Sequence, residues 1–223
     1  MRVAILTPAY DGKVVCDYAI SMAELFRLSS KIDSLEINLN FRMHDALIQK
    51  SRNDLFTEAY EAGFDVIYFI DADQSFSPKA FFETLASPAD VIGVPVRMKT
   101  AEDRYNIRPE NIDGHQFHPE LGLLEVECIG TGFLKLTRTA MDILWNASPE
   151  YRYDGKTRRM ICNMDIVDGG LISEDVQICN KLKAGGLKIF ANIDATCSHF
   201  GTKRFDGNYK LHYFTEQIKR ESA

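Results

Sequence analysis

The chain has 223 residues, 45% hydrophobic and 26% charged, enough apolar side chains for a continuous core without help from disulfides. Twenty-six Lys plus Arg against 32 Asp plus Glu leave a net charge of −6 with no concentrated basic run, a poor composition for a generic binder of nucleic acid or anionic membranes. Its five scattered cysteines include no CxxC pair, and no apolar run approaches the roughly 18–20 residues of a membrane span. The amino terminus enters a strand at once, leaving no room for a signal peptide, so the expectation is a soluble, cytoplasmic protein.

Short β-rich apolar runs alternate with longer amphipathic stretches, which predicts an α/β fold. Residues 3–6 read as a buried strand ending in a Pro- and Gly-containing loop, and Tyr18, Met22, Leu25 and Phe26 then recur at helical spacing. Leu35, Ile37 and Leu39 alternate with polar neighbours as a second strand. A helix over 46–62 is closed by Gly63, and the apolar run 66–70 is a central strand leading directly into Asp71-Ala72-Asp73. Ser77-Pro78 starts another helix, which ends by Ser87-Pro88 before a strand at 91–94. These short joins suit a parallel, doubly wound sheet.

The second half is less regular. Strands are predicted at 123–129 and 132–136 around Gly130-Thr131-Gly132, and Thr137 caps a helix through Leu144. The polar, aromatic stretches 100–120 and 147–170 read as long surface loops, and a last helix at 173–184 stops at Gly185-Gly186. The whole forms one domain, its first half a nucleotide-binding sheet and its second half completing a pocket.

Asp71-Ala72-Asp73 carries the clearest chemistry. Side chains two apart on an extended segment point the same way, and two carboxylates aimed at one spot call for a cation between them. Oxygen ligands at the carboxyl end of a strand suit Mg²⁺ or Mn²⁺, with a diphosphate completing the coordination. A haloacid-dehalogenase-type phosphatase departs from this pattern: Ser75 holds the fifth position, and the motif follows the third strand rather than opening the domain. The lone GKT, Gly155-Lys156-Thr157, has Glu150 where a phosphate-binding loop needs its leading glycine.

A wider order of motifs narrows the class. Ile48-Gln49-Lys50-Ser51-Arg52-Asn53-Asp54, then Ala62-Gly63-Phe64-Asp65, then Val66 through Asp73 resemble the nucleotide-sugar half of GT-A-type glycosyltransferases, especially the large inverting family 2 and its relatives. The resemblance continues through Gly130-Thr131-Gly132-Phe133 and Ser173-Glu174-Asp175-Val176 to Ser198-His199-Phe200-Gly201. It implies a nucleotide-sugar half over 1–97 and an acceptor half over 98–223.

The resemblance also implies roles. Thr7 and Tyr10, with Pro8 and Ala9 between them, match positions that hold the base and ribose; Asn40 and Asn38 stand where a carboxylate is common. Arg52 matches a nucleotide-side arginine, and Asp73 ligates the metal, with Asp71 on ribose or sharing the ion beside Ala72. His199 looks like the third metal ligand, an imidazole that suits Mn²⁺ better than Mg²⁺. Lys203 and Arg204 follow in a loop suited to closing over the diphosphate, and Gly132 sits where backbone approaches the donor sugar. Glu174-Asp175 resembles the acidic pair of the acceptor-side helix, with Asp175 ahead of Glu174 as general base. Asp165 and Asp168 are outside candidates. Tyr105, His115, Phe117, His118, Trp145, Tyr151 and Tyr153 offer aromatic faces for an acceptor sugar.

The implied function is metal-dependent transfer of a sugar from a nucleoside diphosphate sugar, UDP-linked, to a carbohydrate or other hydroxyl acceptor, with inversion. The cofactor is Mn²⁺ or Mg²⁺, and a soluble bacterial or viral-type enzyme is implied. A sugar-phosphate nucleotidyltransferase or phosphatase using the same Asp-metal site, or a non-catalytic nucleotide-sugar-binding module, are the alternatives.

Overall fold

A computed structural model describes residues 1–109, 117, 118 and 120–221. The first half runs β1 (Arg2–Ala9), α1 (Cys16–Ser29), β2 (Glu36–Met43), α2 (Ile48–Glu61), β3 (Val66–Ile70), β4 (Gln74–Phe76), α3 (Pro78–Ala86) and β5 (Val91–Gly93). The second half continues with β6 (Ile107–Pro109), β7 (Leu124–Ile129), β8 (Phe133–Thr137) and α4 (Arg138–Ala147). Two short hairpins follow, β9 (Glu150–Tyr153) with β10 (Lys156–Arg159) and β11 (Asp165–Val167) with β12 (Gly170–Ile172). The chain then forms α5 (Glu174–Ala184), β13 (Ile189–Ala191), β14 (Cys197–Phe200), β15 (Arg204–Phe205) and α6 (Tyr209–Glu221).

Among the described residues, eight strands pair in the order β2-β1-β3-β8-β5-β13-β7-β6. The expected α/β, GT-A-like layout is met: a large mixed sheet flanked by helices on both faces. β1, β2 and β3 are mutually parallel, but β8 enters antiparallel between β3 and β5, so the sheet is not doubly wound throughout. Apolar runs without alternation identify strands covered on both faces. Val3, Ile5, Val66, Tyr68 and Ile70 pack against α1 and α3, whereas Ala4, Leu6, Ile67 and Phe69 pack against α2, α4 and α5.

Local signals act as expected at several ends. The Ser77 hydroxyl accepts from Ala80 N at 3.2 Å, with Pro78 in the first turn of α3. Gly63, at φ +73°, closes α2. Thr137, by contrast, makes no side-chain cap on α4; its hydroxyl donates to Asp90 instead.

Two expectations need correction, and one pairing is new. The stretch 147–170 is not plain loop, because Asp154-Gly155 and Asp168-Gly169 both adopt positive φ and turn two hairpins. An Asp-Gly pair between extended runs is the sequence signal for that turn. The helix at 173–184 is not the last, since α6 follows and seats Tyr209 and Tyr213 in the core. Finally, β4 directly follows Asp71-Ala72-Asp73 and pairs antiparallel with β14, which brings distant chain to the same sheet end.

Lys135 on β8 shows how the mixed sheet accommodates a polar side chain. It is 1% exposed, and its ammonium donates to the carbonyls of Thr84, Ser87 and Ala89 at 3.0, 2.7 and 3.1 Å, closing the end of α3. Lys135→Met removes the donor and leaves buried carbonyls unpaired, for an expected loss of about 3 kcal/mol. Denaturant unfolding measures it; an unchanged midpoint would refute the capping role.

Candidate active site

Three loops at the carboxyl ends of β1, β2 and β3 enclose a cleft of about 530 Å³, a size suited to a small-molecule ligand. Pro8, Ala9, Tyr10, Asp71, Ala72 and Asp73 line it, all six named from sequence. Ser51, from the 48–54 run, also lines it, as do Lys13 and Asp45, which carry no motif that would have identified them. A second cleft, of about 230 Å³, adjoins the first and shares Ile48 and Asp71 with it. Arg52, Gln74, Asn106, Thr131, Gly132, Glu174, Asp175 and His199 are among its walls.

Asp71-Ala72-Asp73 is not extended. β3 ends at Ile70, and Gln74 N donates to Asp71 O at 3.2 Å across a turn. Backbone bonds pin this turn: Asp71 N to Gly132 O at 3.1 Å, Val15 N to Ala72 O at 3.1 Å, and Phe200 N to Asp73 O at 2.8 Å. The turn separates the carboxylates that the extended reading aimed at one spot. Asp71 Oδ1 accepts from Arg52 at 2.9 Å, whereas Asp73 accepts from Lys99 and faces His199.

Arg52 is 3% exposed and reaches across to Glu174 Oε1 at 3.3 Å. It therefore ties the end of β3 to the start of α5. Burial disfavours its charge, but Asp71 and Asp175 outweigh that and raise its pKa. Asp175, in the first turn of α5, accepts at Oδ1 from Thr131 N at 3.2 Å and Thr131 Oγ1 at 2.7 Å.

The two glycines around Thr131 make room for cleft side chains. A Cβ on Gly130 would lie 2.4 Å from Asn106 Nδ2, and one on Gly132 would lie 2.2 Å from Gln74 Nε2. Gln74 is 2% exposed, yet its Oε1 has no hydrogen-bond partner among the described residues. An unpaired buried carbonyl in a cleft wall is suited to a ligand donor. Sequence reading missed Gln74 although it directly follows Asp73, because its burial and its unpaired Oε1 are set by the pairing of β4 with β14.

The donor set around Asp73 fits a divalent cation as a two-ligand site. His199 Nδ1 lies 3.0 Å from Arg97 O and must donate to it, which leaves Nε2 facing Asp73 Oδ1, 3.5 Å away. An imidazole nitrogen and a carboxylate oxygen facing one another are a pair that a divalent cation can bridge, and Nδ1–H on a backbone carbonyl is a common support for a ligating imidazole. Burial pushes the Asp73 carboxyl up, but His199 and Lys99 outweigh it and hold its pKa below the ordinary value. No group of three or more His, Cys, Asp and Glu side chains forms a metal cage among the described residues. Asp71 faces Arg52 rather than joining Asp73 and His199.

The remaining sequence-named residues lie elsewhere. Thr7 is fully buried, sharing a 2.6 Å hydrogen bond with Tyr18, so it supports the floor beneath Pro8 and does not line either cleft. Asn40 sits on β2 opposite Leu6, outside both clefts. Lys203 lies over the Phe205 ring, and Arg204 pairs with Asp206 at 2.7 Å; neither lines a cleft. Asp165 and Asp168 belong to the exposed β11–β12 hairpin. Trp145 stacks on Tyr60 at 4.0 Å, Phe117 packs on Tyr213, and His118 packs on Phe190. Tyr153 lies beneath Lys50, half-buried Tyr151 stands two residues before it on β9, and Tyr105 packs on Tyr209. His115 lies outside the described residues.

Similarity to solved structures agrees with the architecture. The chain superposes on A197 from STIV with a TM-score of 0.56 at 15% identity, covering 90% of this chain and 86% of that one. At this identity the likeness shows a shared fold. S. aureus TarS 1-349 in complex with UDP-GlcNAc matches with a TM-score of 0.47 at 13% identity, over 86% of this chain and 56% of that chain. The present chain thus spans little more than half of that TarS fragment. No protein-family model and no curated protein matches the chain. No helix among the described residues is long and apolar enough to cross a membrane.

Proposed function

We propose that the chain transfers a sugar from a nucleoside diphosphate sugar, UDP-linked, to a carbohydrate or other hydroxyl acceptor, with inversion and with Mn²⁺ or Mg²⁺ as cofactor. The observation that carries this reading is the junction of the two clefts at Asp71, with Asp73 lining the first, Thr131-held Asp175 lining the second, and His199 reaching from the second toward Asp73. Residues 1–97 furnish the donor cleft, and residues 98–223 contribute the acceptor side.

In this reading Tyr10, Pro8 and Ala9 border the nucleotide, and Asp73 and His199 hold the cation. A bound divalent ion supplies Lewis-acid stabilisation of the departing diphosphate. Thr131 fixes one oxygen of Asp175, and the carboxylate takes the proton from the acceptor hydroxyl. The acceptor oxygen bonds to the anomeric carbon while the bond to the diphosphate oxygen breaks, its electron pair leaving with the diphosphate. Gln74 Oε1 offers an acceptor to a donor-sugar hydroxyl. Arg52 positions Asp71 and Glu174 without needing to touch substrate.

Thermal unfolding with UDP and UDP-sugars, each with and without MnCl₂, tests the reading. Saturation at 100 times Kd stabilises by about 2.7 kcal/mol, which for a chain of this size raises Tm by about 5–10 °C. The rise is expected only when nucleotide and Mn²⁺ are both present. An equal rise without Mn²⁺ would remove the metal dependence, and no rise with any nucleotide would remove the donor assignment.

A further inference from the structure

The two carboxylates of Asp71-Ala72-Asp73 hold different kinds of cation. Arg52 is buried between Asp71 and Glu174, and a buried, doubly paired guanidinium is costly to release. Lys99 is different. Its side chain is 34% exposed and that of Asp73 38% exposed, so water replaces their contact at little cost.

Lys99 is nevertheless delivered to Asp73 by the fold. Its loop, between β5 and β6, is held at the neck by the Arg97–Tyr105 bridge and by Met98 N donating to Arg104 O at 2.8 Å. The lysine stem passes over Gly201, where a Cβ would lie 3.1 Å from Lys99 Cδ and 3.6 Å from its Cε. The ammonium ends on Asp73 Oδ2, the oxygen beside the one that faces His199 Nε2. One carboxylate therefore serves both the protein's own cation and the pair of atoms suited to a divalent ion. A lysine and a divalent ion on the same carboxylate repel each other.

We propose that Lys99 is an exchangeable counter-cation: it neutralises Asp73 in the metal-free chain, yields that carboxylate to a divalent cation, and turns its ammonium to the phosphates of the donor. This rests on the functional reading above and adds a residue that no sequence motif marks. The compact charge on a four-carbon stem suits such a movement, whereas the rigid fork of Arg52 suits a fixed tie. Its consequence is ordered binding. Lys99 weakens capture of the cation alone and strengthens capture of the nucleotide once the cation is in place.

The test uses the full chain and Lys99→Met, with calorimetric titration of MnCl₂ alone and then of UDP at saturating MnCl₂. The variant is expected to bind MnCl₂ roughly tenfold tighter and UDP roughly tenfold weaker than the wild type, opposite signs from one substitution. Lys99→Arg, which keeps the charge, is expected to leave MnCl₂ affinity near the wild-type value. MnCl₂ binding that is unchanged or weaker in Lys99→Met overturns the exchange, and so does unchanged UDP affinity. If the wild type itself shows no Mn²⁺-dependent UDP binding, the functional reading fails and this inference fails with it. A wild type that binds both beside a variant indistinguishable from it overturns only the role of Lys99.

Discussion

Asp175→Asn is expected to bind UDP and Mn²⁺ like the wild type but to transfer sugar about 10²–10⁴-fold more slowly, the range that a positioned general base contributes. The substitution is nearly isosteric, and an amide oxygen still accepts from Thr131 N and Oγ1, now at 3.2 and 2.7 Å. Folding and the second cleft are therefore preserved, while the group able to take a proton is lost. Turnover of a UDP-sugar, read as UDP release alongside calorimetric UDP binding, separates the two effects. Undiminished turnover would move the base elsewhere; parallel loss of binding would make Asp175 a structural residue. Glu174→Gln is a useful contrast, because Glu174 is already paired with Arg52 at 3.3 Å.

Asp73→Ala carries the second large effect. UDP affinity measured with Mn²⁺ is expected to fall about 100-fold, equivalent to about 2.7 kcal/mol, toward the value measured without metal. The reason is specific to this carboxylate. Asp73 is the member of the pair that meets His199, whereas Asp71 is held by buried Arg52. Backbone bonds from Gly132, Val15 and Phe200 keep the turn in place when the side chain is removed, so a loss of affinity reports the ligand and not the fold. Retention of full Mn²⁺-dependent affinity would sink the assignment.

The extent to which the site was legible follows from how each residue is positioned. Local periodicity finds the central strand and with it the place of Asp71-Ala72-Asp73 at its carboxyl end. Pro8, Ala9 and Tyr10 came from the resemblance instead, because the apolar run by itself stops at Leu6 while β1 continues to Ala9. Glu174 and Asp175 were legible as an acidic first turn of a helix. Thr7 was misplaced by its neighbours: the strand continues to Ala9, so Thr7 still alternates inward and bonds Tyr18. Lys203 and Arg204 line neither cleft, because the β14–β15 hairpin places Lys203 in its turn, over the Phe205 ring, and pairs Arg204 with Asp206.

Apolar periodicity sets the α/β class, the central strands and the position of the acidic pair at the end of β3. Covered strands and amphipathic helices leave periodic apolar signatures within 10 or so residues, and such signals need no partner. Only the tertiary structure decided which cation each carboxylate meets. The pairs Arg52–Glu174 and Thr131–Asp175 span 122 and 44 residues, and the contact of Lys99 with Asp73 spans 26. β8 had to enter antiparallel between β3 and β5, and β14 had to pair with β4, before these side chains could meet at one end of the sheet. Strand pairing is a choice among distant partners, made by the burial of the whole sheet. No local run of residues records it.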